Sequence, residues 1–252
     1  MKFCASGRGI AAAAAFSVAA FVTPAFAQTS PPSILLVHGI AGPDLGAGFL
    51  PTLPVDVAIR QGSTTTCVRP ALQFTDIAGP YPVTASASVA VIVSNANPLK
   101  PCSNSALLKK SFTLKPGDQV AVVAAETAGG PALLEQQLTE SVPIAAGTAR
   151  LVAFHDANAP AVDLTVTYNG TDGTQQKFVL SDLQPGGRTQ APTVPFTHYA
   201  VTVSPTGSST VVAGPVGFDA APRGAGLAFV VGDAANGTVT VLYHNINNVF
   251  NQ

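Results

Sequence analysis

Two stretches of the chain end an apolar run on a histidine and place an aspartate a short way on. His38 closes Ile34-Leu35-Leu36-Val37-His38 and is followed by Pro54-Val55-Asp56. His155 closes Val152-Ala153-Phe154-His155 and is followed by Pro160-Ala161-Val162-Asp163. An imidazole and a carboxylate held together could bind zinc or copper, or exchange a proton with a substrate. They could also satisfy one another, or main-chain amides, at the rim of a sheet. Two ligands per pair leave a metal under-coordinated. The spacing therefore favours a hydrogen-bonding role for His38, Asp56, His155 and Asp163, with ligand binding as the functional alternative. His198 sits in an alternating stretch and His244 near the C-terminus, neither with a partner at short spacing.

Other motifs lack a necessary part. An apolar strand ending in His38-Gly39 has the form of an oxyanion-hole strand, but that chemistry also needs a serine on a Gly-x-Ser-x-Gly elbow. The nearest stretch, Gly207-Ser208-Ser209-Thr210-Val211, has no second glycine. Gly42-Pro43-Asp44-Leu45-Gly46-Ala47-Gly48 is glycine-rich without the Gly-Lys-Ser/Thr ending of a phosphate loop. Asp172 and the other scattered acids do not have calcium-loop spacing. Asn169-Gly170-Thr171 and Asn236-Gly237-Thr238 read as Asn-Gly turns between strands.

The N-terminus sets the expected compartment. Lys2 and Arg8 precede an apolar stretch, Ile10 to Val22, and Pro24 precedes Ala25-Phe26-Ala27. That order predicts a signal peptide over residues 1–27, cleaved after Ala27, and a periplasmic or secreted protein without a membrane span. Cleavage leaves Cys67 and Cys102, whose even number in an oxidising compartment predicts one disulfide. Loss of Lys2 and Arg8 leaves ten bases against 13 acids, a net charge of −3, with no tryptophan. Such a charge carries no footprint for nucleic acid or an anionic membrane, and aromatic platforms for sugars or bases are scarce. The adjacent pair Lys109-Lys110 fits a solvated edge strand.

Strand-length runs rich in Val, Ala, Thr and Leu position these residues. They are Ser33–Val37, Val55–Ile59, Val89–Val93, Gln119–Ala124, Leu164–Tyr168, His198–Val203, Leu227–Val231 and Thr238–Tyr243, each bounded by turn residues. The pattern predicts an all-β chain of two tandem antiparallel β-sandwiches. The expected units are 33–140 and 149–250, joined by a linker at 141–148. Asp56 and Asp163 are 107 positions apart, and the same offset sets Lys115-Pro116-Gly117 against Pro222-Arg223-Gly224 and Val120–Ala124 against Leu227–Val231. It also sets Pro131–Leu138, helical by propensity, against the strand-like Thr238–Asn245, so both are assigned to strands. The histidines are 117 apart, which puts ten extra residues of the first unit in the loop Gly39–Thr52.

The run His155-Asp156-Ala157-Asn158-Ala159-Pro160-Ala161-Val162-Asp163, with its interrupted counterpart at His38 and Asp56, resembles the bacterial extracellular domain-of-unknown-function family 4397. The resemblance extends over most of the chain after the leader. It implies immunoglobulin-like sandwiches on exported or surface proteins and supplies no reaction and no cofactor. The function expected is a non-enzymatic envelope or extracellular binding or structural module, with a cell-surface or matrix component as partner. Asp44, Phe49 and Leu50 of the long loop are the expected contact residues. The alternatives are a periplasmic metal-binding protein and an exported enzyme with its site at the domain junction.

Overall fold

The computed structural model describes residues 30–42, 54–138, 144–170, 172–191, 193–195 and 197–246. The leader at 1–27 and the contact residues Asp44, Phe49 and Leu50 lie outside them. The described residues form seventeen strands and no α-helix. The strands are β1 Ser33–Gly39, β2 Val55–Gln61, β3 Thr64–Leu72, β4 Ile77–Pro82, β5 Ser88–Asn95, β6 Ala106–Thr113, β7 Gln119–Thr127, β8 Gly130–Gln137 and β9 Thr148–His155. They continue as β10 Val162–Asn169, β11 Gln175–Leu183, β12 Arg188–Gln190, β13 Val194–Pro195, β14 His198–Pro205, β15 Ala213–Asp219, β16 Ala225–Val231 and β17 Thr240–Ile246. Pro131–Gln137 lies in β8 despite its helical propensity, because pairing with β7 overrides that weak preference.

Four sheets result. In the first sandwich the order β3-β2-β5-β6 faces β4-β1-β7-β8, and in the second β11-β10-β14-β15 faces β12-β9-β16-β17. The expectation of antiparallel sandwiches is corrected at one pair in each: β1 runs parallel to β7 and β9 parallel to β16. Parallel neighbours need a long crossover, and here the chain builds the rest of the sandwich before returning to its first strand.

The described residues form three cores. One fills the first sandwich around Ile34, Val57, Val91 and Val122, and another fills the second around Leu151, Leu164, Val201 and Val230. The third lies between the sandwiches, where β1 and β7 give Leu35, Val37, Ala121 and Val123, and β9 and β16 give Val152, Phe154, Leu227 and Phe229. The result is a four-layer stack in which the two inner sheets are buried on both faces. Strands in that position must be apolar at every residue rather than alternately, which is how Leu35-Leu36-Val37 and Ala225–Val231 read. The outer β10 alternates instead, as Val162-Asp163-Leu164-Thr165-Val166.

The middle core is tightly fitted. The rings of Phe154 and Phe229 stack with centroids 5.0 Å apart, and a Cβ on Gly39 would come within 2.6 Å of the Val231 Cβ. Gly39→Ala is therefore expected to cost about 1–3 kcal/mol by overpacking this seam. Urea unfolding checks it, and a cost below about 0.5 kcal/mol would mean that the seam is slack.

The pairing of the inner strands also differs by one residue from the offset of 107 expected between the two units. His38 lies opposite Ala124 and His155 opposite Val230, so Ala124 corresponds to Val230 and not to Val231. A one-residue slip in a strand exchanges its two faces. Only the structural alignment keeps Val122 and Ala124 facing the same side as Ala228 and Val230, toward their own sandwich cores. In the last hairpins Leu133 faces Ala124 and Val241 faces Val230, because the loop before β17 is longer than the one before β8.

Candidate functional site

The recurring aspartates sit opposite breaks in the sheet ladder. β3 bulges against β2 opposite Asp56, and β11 bulges against β10 opposite Asp163. A bulge leaves an amide without its ladder partner, and the residues whose amides turn away, Ala71 and Asp182, have φ of 50° and 56°. The carboxylates take these amides. Asp56 Oδ1 accepts the Ala71 N–H at 3.0 Å, and Asp163 Oδ1 accepts the Asp182 N–H at 2.8 Å. The second oxygen of each reaches a loop joining two strands of the outer sheet. Asp56 Oδ2 accepts from Asn97 at 3.0 Å and Cys102 at 2.8 Å, and Asp163 Oδ2 accepts from Gly207 at 3.1 Å.

An ionised carboxylate suits this place because it only accepts, through two oxygens. Burial pushes the Asp56 pKa up, but the amide donors of Cys102, Ala71 and Asn97 outweigh it and hold the group below its ordinary value. The Asp182 and Gly207 amides likewise lower the pKa of Asp163.

The histidines are buried at the ends of the inner strands and face main-chain groups. Nδ1 of His38 accepts the Ile40 N–H at 3.4 Å, and Nδ1 of His155 accepts the Ala157 N–H at 3.4 Å. Nε2 of His155 then donates to the Pro160 carbonyl at 2.9 Å. Both ring nitrogens of His155 are engaged, and burial lowers its pKa, so the imidazole is neutral. The structure thus joins each of these four residues to the main chain, and the bonds described for His155 and Asp163 go to different groups. His198 pairs with Asp219 at 3.0 Å on the exposed rim. His244 lines a groove of about 210 Å³ between the sandwiches, with Leu35, Gln119 and Leu138. His38, Asp56, His155 and Asp163 do not line that groove.

Cys67 and Cys102 form a disulfide with Cα atoms 5.7 Å apart. It ties β3 to the loop that Asp56 holds. Within that loop Asn97 Oδ1 accepts the Leu99 and Lys100 amides, each at 3.1 Å, and Asn97 Nδ2 donates to Ser103 Oγ at 3.1 Å. Leu99 projects from it, 94% exposed.

Sequence reasoning passed over Asp156 and Gln136. Asp156 follows β9 directly and is 1% exposed. Gln136 Nε2, from β8 of the other sandwich, donates to Asp156 Oδ1 at 2.5 Å, and among the described residues Asp156 Oδ2 has no hydrogen-bond partner. Burial pushes the Asp156 pKa up to about 7, and the Gln136 bond acts in the opposite direction. The available signal was an acid at the end of a fully apolar strand, where both faces of the sheet are covered.

No curated protein matches the chain. Among solved structures, the Bacillus anthracis TIE protein is similar at 12% identity with a TM-score of 0.22, over 85% of this chain and 34% of that one. A leucine-rich repeat protein from Bacteroides thetaiotaomicron is similar at 11% identity with a TM-score of 0.19, over 79% of this chain and 26% of that one. The chain therefore spans about a third or less of the length of these proteins. The family match is narrower than the resemblance drawn from the sequence motif, since it covers less than half of the 252 residues. It contains β2 to β9, both aspartate clamps' carboxylates and His155. Residues 49–165 of this chain match the family model described as a domain of unknown function, DUF4397.

Proposed function

We propose that this chain is a non-enzymatic binding or structural module of the bacterial cell envelope or exterior. In this reading it is exported by the leader ending at Ala27 and built of two immunoglobulin-like copies. The observation that carries the reading is the engagement of its recurring polar residues by the main chain. Asp56 and Asp163 hold bulges and loops in place, and His155 spends both ring nitrogens on its own turn. A general base or metal ligand needs a lone pair directed at the substrate or ion, and these groups direct theirs at amides. The equivalent strand orders of the two sandwiches support the two-copy description.

Purified protein and a His155→Ala variant, kept folded as judged by circular dichroism, are to be compared on hydrolase and oxidoreductase substrate panels. The expected result is no turnover that depends on His155. Turnover present in the parent and lost in the variant would overturn the reading in favour of an exported enzyme.

A further inference from the structure

We propose that the outer sheet of the first sandwich is a protein-docking face, with Leu99 as its anchor and a partner that offers an apolar pocket bordered by carboxylates. The proposal rests on the binding-module reading and names its surface and partner chemistry. Residues 54–113 carry five bases, Arg60, Arg69, Lys100, Lys109 and Lys110, against two acids, Asp56 and Asp76, in a chain whose overall charge is negative. Of those acids Asp56 is buried and Asp76 lies 3.8 Å from Arg69. Lys110 alternates with Lys109 and so shares the side of Leu108 and Phe112. Arg60, Lys109 and the loop residue Lys100 leave the outer side with an excess of positive charge, the arrangement that steers and orients an acidic partner.

The strand register places the relevant groups on one face. Lys109 lies opposite Ile92, Ile92 opposite Ala58, and Ala58 opposite Cys67; the next row runs Ser111, Ala90, Arg60 and Thr65. The alternate residues Val57, Val91 and Val93 fill the core, so Arg60, Lys109 and the disulfide are on the side away from it. Leu107, 47% exposed, is the extra residue of the bulge between β5 and β6, at the end of β6 next to the Leu99 loop. Leu99 and Leu107 are two of the most exposed large apolar residues described, and both border this cationic face.

The Leu99 loop is ordered before any partner arrives. Asp56, Asn97 and the Cys67–Cys102 bridge hold its main chain at several points. An anchor already fixed in position avoids most of the ordering entropy of binding, and an apolar anchor buried at the centre of an interface carries a large share of the affinity. An anionic polymer would satisfy the bases but offers no pocket for two leucines, which is why the assigned partner is a protein.

The test is photo-crosslinking in the producing cells, with p-benzoylphenylalanine replacing Leu99 in one strain, Leu107 in a second and Val179 in a third. Val179, on the outer sheet of the second sandwich, is a control matched in exposure to Leu107. The expected result is one discrete, protease-sensitive adduct from both Leu99 and Leu107 and none of that size from Val179. Its yield should fall about tenfold when Lys100→Glu and Lys109→Glu are introduced together, as like charges replace complementary ones. The variant must melt as the parent does. An adduct only from Val179 overturns the surface and leaves the binding reading intact, whereas absence of adducts at all three positions counts against both. A protease-resistant adduct, or a yield indifferent to charge reversal, overturns the partner chemistry.

Discussion

Replacing Asp156 by asparagine is expected to abolish a loss of stability that the parent protein undergoes between about pH 4 and pH 7. The unfolded carboxyl ionises at its ordinary value of 3.8, whereas burial between the sandwiches raises the folded value to about 7. Between those values the folded state holds a proton that the unfolded state has released. Stability from this group is therefore fully present below the unfolded pKa and is lost as pH rises through the folded one. Linkage sets the slope at about 1.4 kcal/mol per pH unit, with a full span on the order of 4 kcal/mol as an upper bound. Asparagine keeps an oxygen for the Gln136 amide and cannot ionise. Urea unfolding of both proteins from pH 4 to pH 8 measures the difference, which should widen in the variant's favour as pH rises and then level off near pH 7. His155, next in the chain, has its pKa lowered by burial in both proteins, so its contribution is common to the two curves and drops out of their difference. Parallel curves would show that Asp156 is solvated and that the seam admits water.

The second large effect is expected at Asp56. Its carboxylate accepts the amides of Ala71, Asn97 and Cys102 while itself 1% exposed. Asp56→Ala strands those donors at once. With each unsatisfied buried donor costing about 1–3 kcal/mol and some recovering water, the net loss should be about 3 kcal/mol. Asp163→Ala should cost less, because Asp163 accepts two amides in a more exposed position. Equilibrium unfolding of the two variants checks the order. A smaller loss at Asp56 than at Asp163 would mean that the disulfide alone fixes the Leu99 loop. Asp56→Ala should also make the Leu99–Lys100 bond easier to cleave, which limited proteolysis would read directly.

The Asp56 result would extend to the docking face, since the same carboxylate that mends the β2–β3 bulge positions Leu99. A bulge relieved by a side chain reaching from the partner strand leaves that side chain's second oxygen free to act elsewhere. In the first sandwich it acts on the disulfide-bonded loop, and in the second on the Gly207 turn. The two loops differ in what they present: the first carries Leu99 and Lys100, while the second carries Val211 and Val212 beside an apolar hollow.

The all-β class, the central strands and the pairing of the two cysteines were legible in the residues alone. β1, β2, β5, β7, β10, β14 and β16 each bury at least one face, and burial writes a hydrophobic pattern that one strand can show alone. With Cys4 ahead of the expected cleavage point, only one intrachain bridge was possible. Strands β3, β4, β6, β11, β12, β13 and β15 were not read as strands in full, because they are edges whose exposed residues carry no such pattern and whose existence depends on a neighbour's ladder. The third core left a trace in the uninterrupted apolar runs of β1, β7, β9 and β16. Only the assembled structure decided that these runs cover one another. It likewise decided the role of Asp56 and Asp163, since their partners lie 15 to 46 positions away and are defined by bulges that no local spacing announces. Asp156 is the clearest case: its raised pKa comes from being enclosed between two sheets, and its side-chain partner, Gln136, belongs to the other sandwich. Chemistry that arises from enclosure is a property of packing, and packing joins residues that the chain itself keeps apart.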